Sequence, residues 1–186
     1  MSIPAHEAKS RLIEGNKRFI NATSNPGDVS LERRVDTLKN GQHPYAIVLC
    51  CSDSRQVPEA IFSAGIGELF VIRVAGNVVD SHQLGSNEYA EATLDCKLVV
   101  VLGHNHCGAV EAAIKHDPDG HIKYITDDIR EAIKEEKDEY IATCLNVKHS
   151  VKVIEDNTDM KLLEEKGLEV IGAVYHLEDG HVEFLE

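Results

Sequence analysis

Four short apolar runs alternate with helix-patterned segments, and this alternation limits the possible folds more than any other feature of the chain. Tyr45–Leu49, Leu69–Val74, Leu98–Leu102 and Glu169–Tyr175 each read as a strand buried on both faces. Pro58–Phe62, Leu84–Leu94 and Cys107–Lys115 lie between them and read as helices. Strand alternating with helix predicts an α/β fold: a mainly parallel central sheet flanked by helices. Near the end, Glu178-Asp179-Gly180 separates two β-like runs and predicts a hairpin, which adds an antiparallel edge strand at Val182–Leu185. Residues 5–20 carry Leu12, Ile13, Phe19 and Ile20 at roughly helical spacing, which predicts an N-terminal helical arm. Residues 21–44 read as turn-rich, with Asn25-Pro26-Gly27 and Gly41. Ile122–Lys148 is charged and helical in period. At 186 residues the chain is expected to form one domain over 1–186, an arm (1–40) and an α/β core (41–186).

The net charge of −13 excludes nucleic acid and anionic membrane surfaces as natural partners, because such a surface repels phosphates. No apolar run approaches the ~20 residues that span a bilayer, and the N-terminus shows no basic segment followed by an apolar one. A cytoplasmic location is expected. Cys50, Cys51, Cys96, Cys107 and Cys144 are odd in number, and in a reducing compartment read as buried thiols, metal ligands or nucleophiles rather than a disulfide framework.

Two clusters carry chemistry. In LCCSDSR (Leu49–Arg55), alternation along an extended chain points Cys51, Asp53 and Arg55 one way and Cys50 the other. Cys50 then belongs to the core and Cys51 is the working thiol. Alone, the stretch reads equally well as a buried cysteine beside a local ion pair. In GHNHCG (Gly103–Gly108), His104 and Cys107 straddle a strand-to-helix turn. A thiol in the first turn of a helix lies in the positive end of its dipole, which favours the thiolate. Alone, H-x-x-C is more often a capping segment. Together the clusters say more, because each follows the carboxyl end of a predicted parallel strand, where open α/β sheets place their sites. If those strands are neighbours, Cys51, His104 and Cys107 converge as three ligands for zinc with a fourth position left over, the mark of a catalytic site.

These residues resemble the β-class carbonic anhydrases. The resemblance rests on C-x-D-x-R (Cys51, Asp53, Arg55) and H-x-x-C-G (His104, Cys107, Gly108), and extends through GQHPYAIVLCCSDSR, GELFVIRVAGNVV, LGSNEYA and VVVLGHNHCGAV. It implies zinc on Cys51, His104 and Cys107, and reversible hydration of carbon dioxide to bicarbonate and a proton by a zinc-activated water. It implies that Arg55 holds Asp53 in an open state and that Asp53 takes the fourth zinc position in a closed one. By position, Gln42 resembles the substrate-orienting glutamine. Phe70 and Tyr89 resemble pocket-lining residues, in part from a partner subunit, and Gly108 falls within the substrate-contacting motif. A homodimer or a dimer of dimers is implied. The chain departs from the family's pattern at Gln56, where many relatives continue with VPPE, and at His106. The absence of tryptophan argues against the regulatory bicarbonate pocket of one subgroup. His106, two residues from a ligand, reads either as a proton shuttle or as a surface histidine; His116, His121 and His181 receive no role.

Two rival readings remain from the sequence: a carbonyl sulfide or carbon disulfide hydrolase on the same scaffold, and a non-catalytic zinc-stabilised domain in which Asp53 stays on the metal. A nucleotide-binding domain is weakly supported, since Gly65-Ile66-Gly67 and Gly76-Asn77 do not complete a phosphate-binding motif.

Overall fold

The structure, a computed structural model, describes residues 3–22, 27–115, 119–157, 159–161 and 167–186. Its centre is a sheet of β1 (Ala46–Cys50), β2 (Leu69–Arg73), β3 (Leu98–His104), β4 (Glu169–Tyr175) and β5 (Val182–Phe184), in the order β2-β1-β3-β4-β5. β1 pairs in parallel with β2 and β3, and β3 with β4. β5 returns antiparallel on β4, as the Glu178-Asp179-Gly180 hairpin predicts. All five residues of β1 are buried. A parallel strand covered on both faces has to be apolar throughout, and AIVLC is.

Alternation sorts β1 between two cores. Val48 and Cys50 join Ala8 and Leu12 of α1 (Ala5–Asn21), with Ile61 of α3 (Pro58–Ile61) and Phe62. Ile47 and Leu49 face Ala90 of α4 (Ser81–Leu94) and, on α7 (Glu139–Asp156), Val147 and Ile154. Each such aliphatic side chain contributes roughly 1.5–3 kcal/mol on leaving water. A third, smaller core brings Val110 of α5 (Gly108–Lys115) and Ile129 and Ile133 of α6 (Ile122–Ile133) against Cys51 and Cys107.

The arm is tied down by Asn16, which donates to the Ile61 and Gly180 carbonyls (3.2 and 2.8 Å) and accepts from Val182 N–H (3.0 Å). Gly15 lets α1 come this close, because a Cβ there would lie 1.9 Å from the Phe62 carbonyl oxygen.

Two expectations need correction. The turn-rich reading of 21–44 hides α2, Leu31–Asn40, which starts where the Ser30 hydroxyl accepts from Arg33 N–H and ends at Gly41 (φ +83°). Leu31, Val35 and Leu38 recur along it at helical spacing, but no residue of α2 is buried against this chain. Asn25 and Pro26 lie outside the described residues, as does His116. The single period over Ile122–Lys148 is interrupted after Ile133: Lys134 turns left-handed (φ +54°), and the Asp138 carboxylate caps the new helix by accepting from Ile141 N–H. Smaller shifts occur at strand ends, with β3 running on to His104.

Candidate metal centre

β1 and β3 are neighbours, and the chain leaves β1 toward β2 on one side and returns as β3 on the other. The crevice beyond their carboxyl ends is therefore the point where strand order reverses. Cys51 follows β1, His104 ends β3 and Cys107 immediately precedes α5. One ligand atom from each lies within 4.8 Å of the other two, and all three residues are buried.

The adjacent thiols have opposite surroundings. Cys50 points into the core, where burial pushes its pKa up to about 12. Cys51 is drawn down to about 4: the Cys107 thiol stabilises its thiolate most, burial opposes, and the His104 ring and the Gly76 and Asp53 amides assist. The Gly76 N–H donates to Cys51 Sγ at 3.2 Å. That amide can point inward because Gly76 has φ +69°, and a Cβ there would meet the Ile129 side chain at 2.7 Å. α7 fixes the turn from behind, Asn146 donating to the Gly76 carbonyl (2.8 Å) and Ser150 to that of Asn77 (2.9 Å).

His104 Nδ1 lies 2.8 Å from the Asn105 carbonyl oxygen, which can only accept, so Nδ1 carries the proton. Nε2 is then a bare lone pair; it is buried and without a hydrogen-bond partner. Burial opposes charge on this ring, but the Cys51 sulfur and the Asn105 carbonyl outweigh it and raise its pKa. The Ala109 and Val110 amides favour the Cys107 thiolate, while the Cys51 sulfur and burial oppose it and drive its pKa upward.

Two sulfurs and an unpartnered imidazole nitrogen, converging among buried residues, fit zinc. Asp53 stands beside this triad, with Oδ2 3.8 Å from His104 Nε2. Ser54 and Arg55 form a turn, which brings Arg55 back onto Asp53. Asp53 Oδ1 accepts from Arg55 N–H (2.9 Å) and Nε (3.0 Å), and Oδ2 from Arg55 Nη2 (2.7 Å). This forked grip holds the Asp53 carboxyl well below the usual range. Arg55 Nη2 also donates to the His106 carbonyl (3.1 Å), bridging the two ligand loops. Arg73 donates to the Cys51 and Asp53 carbonyls (3.1 and 2.7 Å).

The remaining sequence-predicted residues are placed differently. Gly108 opens α5, and a Cβ there would meet nothing within 4 Å. Gln42 is exposed before the amino end of β1, in a cleft of about 290 Å³ with Arg11 and Asp95. The five residues of β1, roughly 17 Å of strand, separate it from Cys51. Phe70 is in register with Ile47, and its ring packs 6.1 Å from that of Tyr89, which is half exposed. One chain thus unites Cys51, His104, Cys107, Asp53 and Arg55 and leaves Gln42, Phe70 and Tyr89 elsewhere. His106 is exposed with φ +52°, its Nδ1 3.5 Å from Glu139. The sequence reading missed Arg73, Asn146, Ser150 and the part played by Gln56. Only Gln56 left a signal, as a departure from a motif.

The carbonic anhydrase family model matches residues 46–182. A carbonic anhydrase of Mycolicibacterium smegmatis is 35% identical over 184 residues, spanning 92% of this chain and 89% of its own. Carbonic anhydrase 2 of Mycobacterium tuberculosis is 33% identical over 181 residues, spanning 91% and 87%. Among solved structures, the β-carbonic anhydrase CcaA superposes with a TM-score of 0.73 at 27% identity, over 96% of this chain and 95% of that one. A Coccomyxa β-carbonic anhydrase in complex with acetazolamide gives 0.75 at 26% identity, over 83% and 78%.

Proposed function

The chain belongs to the carbonic anhydrase family, and from that membership and the geometry of its centre we propose that it catalyses the reversible hydration of carbon dioxide to bicarbonate and a proton. The Cys51 and Cys107 sulfurs and His104 Nε2 would hold zinc, which when bound would supply a Lewis acid able to bring water toward ionisation near neutral pH.

The chain's own residues do the rest. Asp53, kept ionised by Arg55, accepts a hydrogen bond from the attacking water and orients its lone pair. The forked Arg55 contact keeps Asp53 beside the ligand triad rather than on it. Were that contact released, Asp53 would turn into the fourth position and shut water out. Gly108, open on its Cβ side, leaves room for substrate next to Cys107.

Gln42, Phe70 and Tyr89 serve the centre of a second copy, where the Gln42 amide donates to a substrate oxygen as charge develops. Their distance from Cys51 within one chain supports this. So does the exposed apolar surface of α2, where Leu31 and Leu38 are 67% and 84% exposed. Two related enzymes from Sordaria macrospora are described as tetrameric. We assign this protein a homodimer, alone or as a dimer of dimers, and a cytoplasmic location. Its five free thiols support that location, and among the described residues no helix is long and apolar enough to cross a membrane.

The observation that carries the proposal is the convergence of two thiols and an unpartnered imidazole nitrogen within 4.8 Å at the switch point of the sheet. Stopped-flow hydration of carbon dioxide by the zinc-loaded protein tests it, with carbonyl sulfide and carbon disulfide assayed alongside. Carbon dioxide is expected to be the preferred substrate, and activity should disappear on chelation. A zinc-loaded protein inert toward carbon dioxide at every pH would refute it.

A further inference from the structure

The β1–β3 ladder ends at the pair Cys50 and Leu102. β3 continues through Gly103 and His104, pinned on its other side by Val174 and Tyr175 of β4. β1 instead breaks away into the turn that carries Asp53 and Arg55. The step where Cys51 would pair with Gly103 is therefore left open, between the strand that bears one metal ligand and the strand whose next residue is another.

A side-chain amide fills that step. Gln56 has no solvent exposure. Its Oε1 accepts from Cys51 N–H at 3.1 Å, and its Nε2 donates to the carbonyls of Leu102 (3.2 Å) and Gly103 (3.0 Å). The orientation of the amide is unambiguous, since the main-chain N–H needs the oxygen and the two carbonyls need the nitrogen. Both donor hydrogens and the acceptor are used. Gln56 N–H in turn donates to the Asp53 carbonyl at 3.0 Å, so the strut is anchored in the turn that presents the Asp53–Arg55 pair.

We infer that Gln56 is a positioning residue: its amide substitutes for one rung of the β1–β3 ladder, sets the gap between the two strand ends, and so preforms the Cys51–His104 spacing for the metal. The inference rests on reading the triad as the metal centre and adds to it a determinant that acts through main chain alone. An apolar residue at 56 withdraws the partner of Cys51 N–H in a place that water does not reach. Cys51 is then free to settle toward Gly103 or away from it, and the ligand set loses its register while the sheet remains.

The test compares wild type with Gln56→Met, which keeps length and bulk, and Gln56→Val, which relieves crowding. Each is loaded with zinc and its release to a chromogenic chelator is timed at a temperature where circular dichroism shows a folded protein. Release is expected to accelerate by about ten- to a hundredfold, as for lost outer contacts of metal ligands. The cobalt-substituted variants should show altered thiolate-to-cobalt charge-transfer and d–d bands. Folded variants with wild-type cobalt spectra and release rates within about twofold of wild type would overturn the inference, whatever their melting temperatures. A further measurement needs no variant. In the zinc-loaded wild type the Cys51 amide should resist hydrogen exchange as the β1 ladder does, and exchange as fast as the Ser54 amide would also overturn it. Wild-type protein that takes up no zinc would instead fail the metal-centre reading itself, and the inference with it.

Discussion

The two ends of the parallel sheet are finished to different degrees. At the carboxyl end, Arg55 grips Asp53, Gly76 N–H meets Cys51, Gln56 spans β1 and β3, and α7 holds the turn beneath. Every one of these contacts lies within one chain. At the amino end Gln42 is exposed, α2 buries nothing, and Leu38 stands in solvent. The contrast teaches that holding the metal and handling the substrate are separable properties. On the proposed function, one folded chain would suffice for the first and the second would need a partner copy.

The strongest way to break this division is at the ligands. Cys51→Ser, Cys107→Ser or His104→Ala should abolish stable zinc retention and cut hydration by about 10³-fold or more, read by metal analysis and stopped-flow. Stoichiometric zinc in any of them would mean that the metal is held elsewhere. Next in size, Asp53→Asn should lower kcat by about 10²-fold while zinc content stays unchanged. Undiminished turnover would remove Asp53 from the reaction.

Gln42→Ala sharpens the comparison from the other end. It should lower kcat/KM by roughly tenfold without altering zinc release. Mixing it with Cys51→Ser subunits should restore activity, because each mixed dimer then holds one centre with an intact triad and an intact Gln42. No recovery on mixing would return Gln42 to its own chain. Leu38→Asp should weaken association by about 1–3 kcal/mol, seen as dissociation in sedimentation, with zinc uptake preserved.

The smallest effect concerns stability. The folded pKa of Asp53 is depressed, so its contribution is present above the unfolded value of roughly 3.9 and is lost as pH falls through the folded one. Arg55 is 54% exposed, so solvent screening keeps the contribution of the pair small. Chelated Asp53→Asn should be slightly less stable than chelated wild type at pH 7, and the gap should close in strong acid.

Much of the molecule could be read from its sequence. The apolar runs announce β1 to β4 because a parallel strand cannot afford a polar face. The ligands are legible because few side chains bind zinc and both motifs follow predicted strands. What escaped reading was masked by its surroundings or acts at long range. α2 has a readable cap in Ser30 and apolar residues at helical spacing, Leu31, Val35 and Leu38, but the turn signals on either side hid them. The break after Ile133 has no glycine or proline to mark it. Gln56 reaches carbonyls 46 and 47 residues away, which no local pattern encodes.

The Asn16 amide joins partners separated by 164 and 166 positions. During synthesis its residue leaves the ribosome early, while Gly180 and Val182 follow only after the rest of the sheet has been translated. Ala8 and Leu12 can settle on β1 and α3 as soon as those are made, but these two Asn16 bonds close only when the hairpin between β4 and β5 has been translated. Nascent chains paused before Gly180 should consequently be cleaved within the last turns of α1 more readily than the finished chain, even where the ladder between β1 and β3 has already closed.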